Sequence, residues 1–241
     1  MTFMTSAESH VQTKNPVIAL RDLEFAWSTV ATLCLKIPYF RVNQGERIFL
    51  HGPSGSGKTT LIHLIAGLVL PTQGHIHIGS TPLGDLTTVA RDRMRARTMG
   101  ILSQAFNLIL YLSVLENLRL TRQLAGGQVS SVVEDAGELM SRMGIPSTML
   151  LQKPTQLTQE QQQRVAVVRG LINKPMVLIA DEPTARLDST ARKAFIDRLI
   201  ETASLQQSAV LFVSHESDLG GAFDRRINLQ HLNAMHGSTY P

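Results

Sequence analysis

A single cysteine, Cys34, is all the sequence has, so an internal disulfide and a cysteine-based zinc cluster are both excluded. No apolar stretch reaches about 18 residues, so nothing reads as a membrane-spanning helix. Residues 1–15 are polar and lack the apolar centre of a secretory signal. A soluble, cytoplasmic protein is therefore expected. Charge is scarce as well. Charged residues make up 17%, below the usual quarter, and the net charge of +4 is too small and too spread out to argue for nucleic acid. Repeats and low-complexity segments are also lacking. What remains is 241 residues with a near-average 43% hydrophobic content, enough to bury a sizeable core in one large domain or two small ones.

Periodicity supplies the outline. Val17 to Trp27 alternates weakly, as do Cys34, Lys36 and Phe40 to Val42, and both stretches read as strands. Ile48 to Leu50 is a short apolar strand, and Lys58 to Leu70 is an apolar helix that Pro71 would close. His75 to Gly79 alternates again; a metal site at His75 and His77 is disfavoured. Arg91, Arg93, Arg95 and Arg97 stand at every second position and predict a solvated helix or loop. Residues 105–170 are mainly helical, broken at Gly126-Gly127 and Gly144-Ile145-Pro146. Met176 to Ala180 and Ala209 to Val213 are continuous apolar runs, the pattern of strands buried on both faces. With a helical stretch at Ser189 to Leu205 between them, they predict a parallel sheet in an α/β fold. The tail from His231 to Pro241 is expected to be loosely held.

Gly52-Pro53-Ser54-Gly55-Ser56-Gly57-Lys58-Thr59 fits G-x-x-x-x-G-K-[ST], between a predicted strand and a predicted helix. A glycine-rich turn that merely precedes a helix would not need all four constrained residues. Glycines let backbone N–H groups close around phosphate oxygens, and the helix start adds partial positive charge. Lys58 would reach the β- and γ-phosphates, the Thr59 hydroxyl would hold Mg²⁺, and Thr60 completes the loop. The run Met176 to Ala180 leads into Asp181-Glu182. Acids often end strands because they are solvated there, but carboxylates at the C-terminal end of a buried parallel strand also face the crevice where α/β folds bind ligands. Asp181 would hold Mg²⁺, and Glu182 would polarise the attacking water.

These residues resemble the ATP-binding subunit of ABC transporters, over about Val17 to His215. The resemblance implies a P-loop NTPase with a RecA-like parallel sheet core, an antiparallel β subdomain and an α-helical subdomain. It places the core at 16–104 and 171–230 and the helical subdomain at 105–170. Trp27 sits where the family stacks an aromatic on adenine, although a core aromatic is the competing reading. Gln104 matches the family glutamine that touches Mg²⁺ and water. Asp188, in the segment Pro183 to Asp188, would meet a partner subunit. His215, in Phe212 to His215, would stabilise the γ-phosphate. Finer features at Gly67 to Gly74, Met99 to Gln104, Val114 to Leu118 and Ala180 to Ala185 resemble stand-alone ATPases of lipoprotein-releasing and macrolide exporters. That implies a homodimer on the cytoplasmic face of integral membrane permease subunits, using ATP and Mg²⁺, with no nucleic acid.

The family signature Leu-Ser-Gly-Gly-Gln departs here to Leu157-Thr158-Gln159-Glu160-Gln161, although Gln162-Gln163-Arg164-Val165-Ala166 is intact. In the family this helix start faces the γ-phosphate bound by the other subunit, so Thr158 and Gln161 are candidate nucleotide contacts from a second copy. Thr158 and Gln161 still fit a capping box. A Glu160 carboxylate about 5 Å from a phosphate charge would cost roughly 3 kcal/mol per charge pair at an effective dielectric of about 20. Either Glu160 turns to solvent and hydrolysis proceeds, or the chain turns over slowly as a nucleotide-gated switch. Ser103 and Gly170 also depart from the family pattern without a functional account. A non-transport ABC ATPase acting on nucleic acid is the second possibility, and a nucleoside or nucleotide kinase the third. The non-transport class would usually bring coiled-coil insertions or a tandem domain. The kinase would not explain Gln162-Gln163-Arg164 or the set from Asp181 to His215.

Overall fold

The computed structural model describes residues 16–28, 34–103, 105–185 and 187–236. Its strands are Pro16–Phe25 (β1), Leu35–Asn43 (β2), Arg47–His51 (β3), Gln73–Ile78 (β4), Thr81–Pro82 (β5), Met99–Leu102 (β6), Val177–Asp181 (β7), Ala209–Ser214 (β8) and Arg225–Asn228 (β9). The helices are Lys58–Ile65 (α1), Thr88–Thr98 (α2), Val114–Leu124 (α3), Val132–Arg142 (α4), Gln159–Leu171 (α5), Ser189–Leu205 (α6) and Leu229–Leu232 (α7). Strands β2-β1-β4-β5 form an antiparallel sheet, and β6-β7-β8-β3-β9 form a parallel one. This is the P-loop NTPase α/β fold expected from the sequence. Among the described residues no helix is long and apolar enough to cross a membrane.

Every residue of β8 is buried, as are the first four of β7, which is why these strands read as unbroken apolar runs. Their side chains alternate between two cores. Val177, Ile179, Leu211 and Val213 face one that includes α1 and the antiparallel sheet. Leu178, Ala180, Val210 and Phe212 face another formed with helices α3 to α6. Phe49 of β3 joins the second core, its ring tilted against Phe212 and Phe223 at centroid distances of 6.1 and 5.4 Å.

Three local expectations are corrected. Helix α1 ends at Ile65 rather than Leu70. Gly67, at φ +65°, donates to Leu64 O, and Leu68 donates to His63 O, a Schellman stop that ends the helix before Pro71 is reached. The arginines of α2 do more than face solvent. Arg91 donates to Leu86 O at 2.8 Å, Arg95 to Ala66 O at 3.2 Å and Arg97 to Ala125 O at 3.0 Å, tying α2 to three neighbouring segments. The tail is not loose as far as residue 236. Leu232 and Asn233 are buried, and the Asn233 amide pairs with the open edge of β2. Its Oδ1 accepts from Lys36 N at 2.9 Å and its Nδ2 donates to Cys34 O at 3.2 Å, as a neighbouring strand would. Residues 237–241 lie outside the described residues.

Gly170 finds a structural reason. Helix α5 crosses β6 so closely that a Cβ on Gly100 would stand 2.2 Å from Gly170 O, and one on Gly170 would stand 2.9 Å from Leu178 Cδ1 and 3.1 Å from Leu102 Cδ1. A glycine on each side permits this backbone contact. Gly100→Ala should destabilise the fold by about 3 kcal/mol, the upper end for overpacking, because its neighbour is backbone. Gly170→Ala should cost less, since leucine methyls can yield and alanine favours a helix by about 1 kcal/mol. Denaturant unfolding midpoints would order the two variants.

Candidate nucleotide site

The parallel register brings the predicted residues together at one edge. His51 at the end of β3 lies opposite Ser214 of β8, and Asp181 of β7 lies opposite Val213. The segments after each strand therefore open into the same crevice. Gly57 caps α1 with φ +97°, and a Cβ there would meet Leu35 Cδ2 at 2.8 Å, so only glycine fits. The first turn of α1 has no acidic residue, which leaves the helix start free to favour an anion. Lys58 is buried and donates to Gly52 O at 2.7 Å and Pro53 O at 2.9 Å, carbonyls of its own loop. Ser56 Oγ is buried with no hydrogen-bond partner among the described residues. A cationic amine, an unmet hydroxyl and a helix N-terminus in one loop fit a polyphosphate.

Beside this loop, the Thr59 hydroxyl donates to Asp181 Oδ2 at 3.4 Å. Two oxygens so placed fit a divalent cation carried in with the nucleotide. Burial pushes the Asp181 carboxyl above its ordinary value, and the Glu182 charge adds to this; the Thr59 hydrogen bond, Lys58 and His63 pull the other way. Glu182 adopts φ +48°, a left-handed conformation that costs a side-chain-bearing residue about 1–3 kcal/mol. Its N–H donates to Val213 O at 2.9 Å, which holds the strained residue in place. The carboxylate is gripped on both oxygens. Ser214 Oγ donates to Oε2 at 3.1 Å, and His215 Nδ1 lies 2.8 Å from Oε1.

Sequence reasoning gave Ser214 no role, although a small hydroxyl ending a fully buried strand is a readable signal. It also gave none to Gln163, which is buried and donates to Pro183 O, joining α5 to the segment after Glu182. Trp27 is 59% exposed rather than a core residue, edge-on to Phe25 at 5.1 Å. Phe25 pairs with Leu35, the residue that packs against Gly57, so the indole stands on the loop's side of β1. Gln104 lies outside the described residues, as does Arg186.

Thr158, Gln161 and Asp188 are not drawn into this cluster. Thr158 and Gln161 form the capping box of α5, with Gln161 N–H donating to Thr158 Oγ1 at 3.2 Å and Thr158 N–H to Gln161 Oε1 at 2.8 Å. Asp188 caps α6, accepting from Thr190 N and Ala191 N at 2.9 Å each. Glu160 is 48% exposed and ion-paired to Arg164, one turn on. Arg164 also donates to Met143 O at 3.3 Å and Gly144 O at 3.4 Å, so the pair is pinned towards the end of α4.

A parallel sheet with a phosphate loop after β3 and an acidic pair after β7 defines a P-loop nucleotide-binding protein. Residues 35–185 match the ABC transporter family model. The chain belongs to that family, as an ATP-binding subunit. It is 34% identical over 217 residues to the lipoprotein-releasing system ATP-binding protein LolD of Nitrobacter hamburgensis, covering 89% of this chain and 93% of that one. It is 35% identical over 208 residues to LolD of Hydrogenovibrio crunogenus, covering 86% and 90%. A dimeric structure of a post-hydrolysis state of the ATP-binding cassette MJ0796, bound to ADP and phosphate, matches at TM-score 0.77 and 30% identity, covering 88% of this chain and 93% of that one.

Asp181 with a raised pKa opposes folding once ionised. The penalty is absent below the ordinary aspartate value of 3.8 and complete above the raised one. Asp181→Asn should therefore raise the melting temperature of the nucleotide-free protein at neutral pH and leave it unchanged at pH values below the ordinary one. The same variant should lose Mg²⁺-dependent ATP binding. Thermal melts at two pH values and a binding titration would check both.

Proposed function

We propose that two copies of this chain hydrolyse ATP between them and so drive integral membrane permease subunits from the cytoplasmic face, in an export or lipoprotein-release role. The observation that carries the reading is the Glu182 carboxylate, held by Ser214 and His215 one residue beyond Asp181 and beside the phosphate loop. The relatives named as lipoprotein-releasing ATP-binding proteins and the dimeric neighbour with ADP and phosphate support the remainder.

On this reading, ATP with its Mg²⁺ is the substrate. Lys58 leaves the carbonyls of Gly52 and Pro53 for the β- and γ-phosphates, while the N–H groups of Ser54 to Thr60 close around the phosphate oxygens. Thr59 and Asp181 hold Mg²⁺ together with Gln104, and Trp27 stacks on the adenine. Glu182 polarises the attacking water, and His215 moves from the carboxylate to the γ-phosphate. The second copy contributes Thr158, Gln161 and Asp188. We read 105–170 as a helical subdomain that carries movement to the permease; the bond from Gln163 to Pro183 supports it as a link between that subdomain and the segment after Glu182. Core residues fall at 16–104 and 171–230.

The altered signature bears on rate. The Glu160–Arg164 ion pair, pinned to the end of α4, supports turnover with Glu160 in place over a slow nucleotide-gated switch. Because Arg164 draws Glu160 towards the end of α4, Glu160→Gly should leave ATP turnover in the complete transporter complex within about threefold, a barrier change under about 1 kcal/mol. A much larger rise would favour the switch. Glu182→Gln should lower turnover by about 100-fold or more and trap an ATP-bound dimer. Size-exclusion chromatography with retained nucleotide would detect the dimer, and wild-type hydrolysis by this variant would overturn the role given to Glu182.

A further inference from the structure

The Glu182 carboxylate is held by a chain of contacts that begins on a different element. Arg192 lies on the first turns of α6, with its side chain only 18% exposed. Its Nη1 is ion-paired to Glu216, the residue after His215. Its Nη2 donates to Leu187 O at 3.1 Å, in the segment after Glu182. One guanidinium thus fastens together the chain that leaves β7 and the chain that leaves β8.

The contact with Glu216 reaches further. Glu216 N–H donates to Ser214 Oγ at 3.1 Å, and Ser214 Oγ donates to Glu182 Oε2 at 3.1 Å. A hydroxyl that accepts one bond has its own proton left to give. The Glu216 N–H therefore directs the buried Ser214 proton at the carboxylate. Without that turn after His215, Ser214 would be free to rotate and Glu182 would keep only His215. A strained residue at φ +48° needs such restraint, because its backbone does not favour this position.

We infer that Arg192 is a positioning residue for ATP hydrolysis, fixing Glu182 and His215 through Glu216 and Ser214 and fixing the approach to Asp188 through Leu187. This rests on the reading of Glu182 given above. The Arg192 guanidinium touches none of the residues assigned to bind phosphate or adenine, and the Arg192 backbone N–H, which donates to Asp188 O at 2.9 Å, survives substitution, so loss of the side chain should act on the chemical step. A planar guanidinium can serve a carboxylate and a carbonyl at once, whereas an ammonium serves mainly one of them.

The test is steady-state ATP hydrolysis by the full-length chain carrying Arg192→Met, Arg192→Lys or Glu216→Gln, with Glu182→Gln alongside. Arg192→Met is expected to lower kcat by about tenfold or more, as misplacement of a reacting group does, with KM for ATP within about twofold of wild type. Arg192→Lys should recover part of the lost kcat. Should Arg192→Met fail to fold, Glu216→Gln carries the test: it keeps the N–H to Ser214 but loses the charge, and should lower kcat at unchanged KM. An unchanged kcat overturns the inference. So does a parallel change of kcat, KM and melting temperature with no recovery in the lysine variant. Full activity in Glu182→Gln would instead overturn the reading of Glu182, whereas an inactive Glu182→Gln beside a normal Arg192→Met would overturn only the role of Arg192.

Discussion

Strand β3 lies between β8 and β9, and β8 lies between β3 and β7, all parallel and in fixed register. Alternate side chains of β7 and β8 enter two different cores, so a slip of one residue would send Val177 and Ile179 where Leu178 and Ala180 belong. Apolar packing on both faces forbids that slip. Because the strands are parallel, the same register also sets where each chain leaves the sheet. His51 stands opposite Ser214 and Asp181 opposite Val213 for the same reason that the cores fill. The phosphate loop, the acidic pair and the serine–histidine segment are brought together by hydrophobic burial, and their own attractions contribute little.

Those attractions are in fact mixed. Asp181 is half-buried beside Glu182, and both burial and the like charge disfavour its ionised form. Glu182 holds a left-handed backbone. Lys58 spends its hydrogen bonds on carbonyls of its own loop, and Ser56 Oγ has no partner among the described residues. A bound cation would relieve the Asp181 charge and a phosphate oxygen would meet the Ser56 hydroxyl, whereas the Glu182 backbone strain is held by the fold itself. Anchors outside the loop keep the arrangement in place: the Glu182 N–H on β8, the Gln163 side chain on Pro183 and the Asp188 cap of α6. The α5 start shows the same division. Its capping box of Thr158 and Gln161 is complete, and Glu160 is drawn off by Arg164.

Much of this was legible in advance because the signals are local. The phosphate loop, the apolar runs of β7 and β8, the span of α6 and the Thr158–Gln161 capping box depend on residues a few positions apart. What escaped depends on distant partners. Gly170 is explained only by Gly100 lying against it, 70 positions away, and by Leu178 on the adjacent strand. Ser214 matters because of Glu182 across the sheet, and Arg192 because of a residue 24 positions on. The early end of α1 is a different case. Gly67 was there to be read, but Pro71 is the more conspicuous punctuation and drew the boundary too far. The tail misled because its composition is polar and its anchors, the buried Leu232 and the Asn233 amide, act on residues far away in the chain.

That amide has a consequence for biosynthesis. The Asn233 side chain supplies one donor and one acceptor to Cys34 and Lys36, covering the start of a strand edge that would otherwise offer both to another chain. The two partners are 197 positions apart. At about 5–20 residues per second, the edge is made roughly 10–40 s before its cover is. The cover supplied by residues 229–233 is thus a property of the finished fold, and until it forms the start of β2 keeps an unpaired donor and acceptor.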